Sequence, residues 1–169
     1  LALYFFILAL IQAGLLFGIY HYYRSQNLVK PSIYWLSSLL LSVLALFVFG
    51  GGILTIGDVA KPPFNFTVAN TLFVAASILQ GLFCKSLNQN VTRRELVGFA
   101  IGLLVFAILF DVMREAGTFE IRTIVMASLA SLLYVWQIIE IKKRRAIELS
   151  AQLQYLQYAT SAELLFAMS

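Results

Sequence analysis

Charge is scarce in this chain. Only 12% of its 169 residues are Asp, Glu, Lys or Arg, while 61% are hydrophobic. A soluble domain carries about 25% charged residues, so there is too little charge here to cover a water-facing surface. The mean hydropathy of +0.88 points the same way. Cysteine and histidine occur once each, as Cys84 and His21. A lone cysteine excludes an internal disulfide framework and a cysteine-rich metal site. A lone histidine supplies neither two haem ligands nor a zinc site, and it leaves no nucleophile–base pair. Gly50-Gly51-Gly52 lacks the following Lys-Ser/Thr of a phosphate-cradling loop. No catalytic residues, metal or cofactor are therefore expected within this chain.

What is present is a series of long apolar runs. A membrane span needs roughly 20 mostly apolar residues, and five segments qualify: Leu1–Tyr23, Ile33–Leu54, Phe66–Leu87, Leu96–Met113 and Ile121–Ile141. The sequence predicts an all-α membrane bundle of about five transmembrane helices with short connections. The first run has neither a basic segment ahead of it nor a small-residue cleavage site behind it, so it reads as a retained span. Because the chain begins at Leu1 rather than Met, it reads as part of a longer protein. The prolines all fall between runs, at Pro31, Pro62 and Pro63, and the triple glycine is expected to loosen the end of the second span.

The net charge of +4 and the pI near 9.3 would hint at nucleic acid in a soluble protein. Here the positive residues flank apolar runs, which points to membrane orientation and against a nucleic-acid partner. Arg24 and Lys30 mark the first loop, Lys85, Arg93 and Arg94 the third, and Lys142-Lys143-Arg144-Arg145 the tail. Lys61 and Asp58 cancel in the second loop, and the fourth is mixed. Alternating basic excess places the N-terminus outside and the C-terminus in the cytoplasm. Tyr20, Tyr22, Tyr23, Tyr34, Trp35, Tyr134 and Trp136 form an aromatic belt near the inner boundary.

Residues 1–141 thus read as a transmembrane bundle and 142–169 as a cytoplasmic helix. No Gly or Pro occurs between Thr118 and Ser169, so the fifth span is expected to run unbroken into that tail. Ala146, Leu149, Leu153, Leu156 and Thr160 follow a 3-4 spacing. Such a stripe predicts a coiled-coil seam and a homodimer through the tail.

Polar residues within the spans have to face the bundle interior, because an unpaired polar group in hydrocarbon is costly. Asn70, Ser77, Gln80 and Gln137 are the candidates for a small-ligand pocket, with interhelical hydrogen bonding the preferred reading. Gly14/Gly18 and Gly98/Gly102 are G-x-x-x-G pairs. Such pairs let helix backbones approach closely, and packing within one bundle is preferred over dimerisation. No ionisable residue lies at mid-membrane, which argues against proton pumping and ion-coupled transport. Asp111, Arg114, Glu115, Glu120 and Arg122 could form an outer polar cluster, with solvated loop charge the preferred reading.

Two segments carry a family resemblance. Ala69-Asn70-Thr71-Leu72 leading to Gln80-Gly81-Leu82-Phe83, and Ile121-Arg122 before Ala127-Ser128-Leu129, resemble the membrane regions of bacterial sensor proteins. Ser161-Ala162-Glu163-Leu164-Leu165-Phe166-Ala167-Met168-Ser169 resembles the run just before the phosphoacceptor histidine of sensor histidine kinases. The resemblance implies a multi-pass sensory input module in the bacterial inner (plasma) membrane, passing a signal to a histidine kinase of a two-component system. It further implies a homodimer and a small-molecule or lipid-soluble ligand besides the lipid bilayer. The alternatives are the sensor region of a diguanylate cyclase, a small transporter or channel subunit, and a structural subunit of a larger membrane complex.

Overall fold

The computed structural model describes residues 2–25, 32–55 and 62–168. Lys30, Pro31, Asp58, Lys61 and Ser169, which entered the sequence reading, lie outside the described residues. Among the described residues six helices follow one another: α1 (Ala2–Ser25), α2 (Ile33–Thr55), α3 (Asn65–Ser86), α4 (Arg93–Ala116), α5 (Phe119–Ile147) and α6 (Ala151–Met168). The first five are long and apolar enough to cross a membrane. There is no strand among the described residues.

The helix ends follow from local chemistry. Thr92 caps α4 with a reciprocal pair of bonds: its hydroxyl accepts the Glu95 N–H at 3.4 Å, and its own N–H donates to the Glu95 carboxylate at 3.0 Å. Thr118 caps α5 by accepting the Ile121 N–H at 3.4 Å. Pro62 and Pro63 have no N–H to continue a helix and lead directly into α3.

The helices form a row rather than a closed ring. α1 packs on α2, α2 on α3, α3 on α5 and α5 on α6, while α4 rests on α3 and α5. Aromatic rings fill the α1–α2–α3 contact, where the Phe49 ring centroid lies 4.7 Å from both Phe5 and Phe66. The expected loosening at the triple glycine does not occur, because α2 continues through it to Thr55. Gly50 and Gly52 are buried: a Cβ on Gly50 would meet the Phe6 ring at 3.2 Å, and one on Gly52 would meet Phe66 at 3.2 Å. Their missing side chains admit neighbouring rings, and that packing holds the helix.

The fifth span does not run unbroken into the tail. Glu148 is extended, with φ −134° and ψ 113°, and residues 148–150 separate α5 from α6. α6 then folds back on α5. Arg145 Nη1 donates to Gln157 Oε1 at 2.5 Å across the turn, and Thr160 is 1% exposed. No Gly or Pro is needed for the reversal. Ser150 is a residue type favoured just before a helix, and burial against α5 supplies the apolar contact that a straight tail would lack.

The reversal divides the predicted seam. Ala146 is exposed near the end of α5, Leu149 stands 93% exposed in the break, and Leu153, Leu156 and Thr160 lie on α6. A continuous stripe for a second copy is therefore absent in this conformation. The glycine pairs also differ from expectation. A Cβ on Gly14, Gly18, Gly98 or Gly102 would meet nothing within 4 Å. α1 and α4 turn other faces to their neighbours, so these glycines do not pack the bundle.

Candidate functional site

Polar side chains gather at both ends of the α3–α4–α5 group, and a tightly packed middle joins them. At the first end, Asp111 near the end of α4 accepts at Oδ1 from the Thr67 hydroxyl of α3 at 2.9 Å and from Arg114 Nε at 2.8 Å. Arg114 also donates from Nη1 to the Pro62 carbonyl at 2.9 Å and from Nη2 to Glu115 at 2.5 Å. Its guanidinium lies 5.9 Å from the centre of the Phe64 ring. Arg122 Nη1 on α5 donates to the carbonyls of Arg114 at 3.1 Å and Gly117 at 3.4 Å. These residues were read as solvated loop charge, yet Thr67 is buried and they clasp three helices together.

The middle is a close α3–α5 contact. Trp136 lies in the notch that Gly81 leaves, where an added Cβ would sit 2.2 Å from the indole. Trp136 also stacks on Phe99 of α4, with centroids 5.3 Å apart. Gln137 is fully buried, and its Nε2 donates to the Ser77 carbonyl at 3.2 Å. Its Oε1 has no partner among the described residues.

At the second end, Asn88 follows α3 and reaches α5. Its Nδ2 donates to the Glu140 carbonyl at 2.8 Å and to Glu140 Oε2 at 3.0 Å. The Glu140 residue is 4% exposed, and Lys143 Nζ donates to its Oε1 at 2.7 Å. Desolvating a carboxylate is costly unless it is paired and hydrogen-bonded, and both conditions hold here. Lys85 of α3 pairs with Glu95 of α4. At the turn beyond, Arg144 pairs with Glu148 at 2.6 Å.

The fold-back brings α6 to this end. Glu163 of α6 comes within electrostatic reach of Cys84 on α3 and Tyr134 on α5.

The four polar residues proposed from sequence as a pocket do not converge. Gln137 meets Ser77 through the latter's backbone. Asn70 donates to its own helix, to the Phe66 carbonyl at 2.7 Å. Gln80 is half-buried and makes no hydrogen bond among the described residues. Sequence reasoning missed Asn88, Trp136 with Gly81, and the pairing of Glu140. A polar residue at each span boundary was visible, but the partner belongs to a helix distant in sequence. No group of His, Cys, Asp and Glu among the described residues is arranged to hold a metal. No family model matches the chain, nor does any curated protein or solved structure.

Proposed function

We propose that this chain is a membrane-embedded sensory input module, oriented N-terminus out and C-terminus in, that relays a change in helix packing to a cytoplasmic output domain. The leading output type is a histidine kinase of a two-component system in a bacterial inner membrane, on the resemblance of the Ser161–Ser169 run. The observation that carries the reading is the continuous coupling along α3 and α5. The Asp111 cluster ties α3, α4 and α5 at the outer end, Trp136 seats against Gly81 in the middle, and Asn88 holds Glu140 at the inner end beside the α5–α6 turn. Packed cores have discrete arrangements rather than continuous ones, so a shift at one end is passed along such a unit.

The fold-back gives the relay its two states. In one, α6 lies on α5. In the other, α6 leaves α5 and extends it, joining Ala146, Leu149, Leu153, Leu156 and Thr160 into one seam for a second copy. The signal, a small ligand or the state of the bilayer, biases the choice between them by its differential affinity for the two.

The test has two parts. Reading the gene beyond Ser169 is expected to give His-Glu followed by a phosphotransfer domain; a stop codon there overturns the output assignment. Cysteines placed singly along the Ala146–Thr160 seam of the full-length protein are expected to crosslink between copies only in the signalling state. No crosslinking in any state would remove the seam from the mechanism.

A further inference from the structure

The α5–α6 corner presents an unusual combination of side chains. α5 has 29 residues, about 43 Å at 1.5 Å per residue, which exceeds the hydrocarbon thickness of about 30 Å. On the proposed orientation its last turns stand in the headgroup layer of the inner leaflet. Lys142 is exposed there and has no carboxylate partner among the described residues, unlike its neighbours Lys143 and Arg144. Arg93 and Arg94 at the start of α4 are also exposed and unpaired among the described residues. They belong to the same end of the bundle, because Glu95 is paired with Lys85, and Asn88, just past Lys85, is bonded to Glu140.

The register of α6 sets its depth. Gln157 lies beside Arg145 near the end of α5, and the rest of α6 packs back along α5. α6 therefore descends from the headgroup level into the bilayer as it proceeds. Its outer face follows that gradient. Tyr155 and Tyr158, 74% and 59% exposed, come early, at the depth where tyrosine is favoured. Leu165 and Met168, each 71% exposed, come late, at acyl-chain depth. In water these exposed tyrosine and apolar side chains are unfavourable; in a leaflet they are matched, with Glu163 an exposed exception at that depth.

We propose that this end of the bundle, from the α5–α6 corner to the start of α4, is an anionic-phospholipid binding surface: Lys142, Arg93 and Arg94 take the headgroup phosphates, and the acyl chains cover the Tyr155, Tyr158, Leu165 and Met168 face of a docked, half-membrane α6. The inference rests on the membrane orientation above and not on the nature of the output domain. Anionic lipid is then the ligand that favours the docked state. Each basic residue near an anionic surface is worth roughly fivefold in affinity, so neutralising three weakens headgroup binding roughly a hundredfold.

The experiment uses the full-length protein with the buried Cys84→Ala and an added Leu165→Cys carrying an environment-sensitive fluorophore. It is reconstituted in phosphatidylcholine vesicles with and without phosphatidylglycerol. Lipids brominated on the acyl chains are expected to quench the label, more strongly when phosphatidylglycerol is present. Arg93→Gln/Arg94→Gln/Lys142→Gln is expected to abolish that difference. Quenching by aqueous iodide in both lipid mixtures, with none by brominated chains, would overturn the docked half-membrane helix. An anionic preference that survives the triple substitution would overturn the basic site. A crosslink from Arg145→Cys to Gln157→Cys, read in parallel, separates this outcome from failure of the relay, since it reports the hairpin whichever lipid surrounds it.

Discussion

At the scale of single residues, the glycines fall into two physical classes that the sequence does not distinguish. Gly81 has an indole where its side chain would be, whereas Gly14 has nothing within 4 Å. Gly81→Ala is expected to destabilise the bundle by about 1–3 kcal/mol, as overpacking of a well-filled site does, because Trp136 has to move off both α3 and its stack with Phe99. Gly14→Ala is expected to leave the monomer's stability unchanged or slightly improved, since alanine has the better helix propensity. Unfolding in mixed micelles, followed by far-ultraviolet circular dichroism, measures both. Gln137 was legible as an interior residue, because a glutamine in an apolar run has to find a donor or acceptor inside. Its acceptor was not legible: the carbonyl of Ser77 is a property of the α3–α5 packing and not of any residue type.

At the scale of elements, the α5–α6 hairpin is the part most open to challenge by experiment. A cysteine pair at Arg145 and Gln157 is expected to form an intramolecular disulfide that shifts the monomer band on a non-reducing gel; a purely intermolecular product would indicate a straight helix. The five long helices were legible because hydrophobic length is a local property, and the observed elements match the predicted runs closely. The break at 148–150 was not, since it contains neither of the usual helix breakers. What decides it is burial of α6 on α5, a tertiary contact that overrides local propensity.

At the scale of the whole molecule, the predictions concern coupling and orientation. Thr67→Val removes one donor from the Asp111 carboxylate at one end of the α3–α4–α5 group and touches nothing at the other. If the two ends form one unit, the substitution is expected to change the Arg145–Gln157 disulfide yield. An unchanged yield would show that the Asp111 cluster is only a local clasp. Orientation is checked by labelling the amine of Lys61 with a membrane-impermeant reagent, expected to react from the outside alone. Here the alternating basic loops carry an expectation of direction that the labelling tests, and the sequence is silent about which helices touch. The row-like order, with α3 contacting α2, α4 and α5, depends on side-chain fit across segments far apart in the chain.

α4 is held in an uneven way. Phe110 is its one buried residue among those described, yet Asp111 secures it to Thr67 near one end and Glu95 secures it to Lys85 near the other. Mechanically it is a rod pinned at two points and braced lightly between them by the Phe99–Trp136 stack. A side load makes such a rod bow, and bowing draws its two pins together. Lateral pressure within the bilayer is such a load. Thinning or curvature of the membrane would therefore be converted, through α4, into a change of span between Thr67 and Lys85.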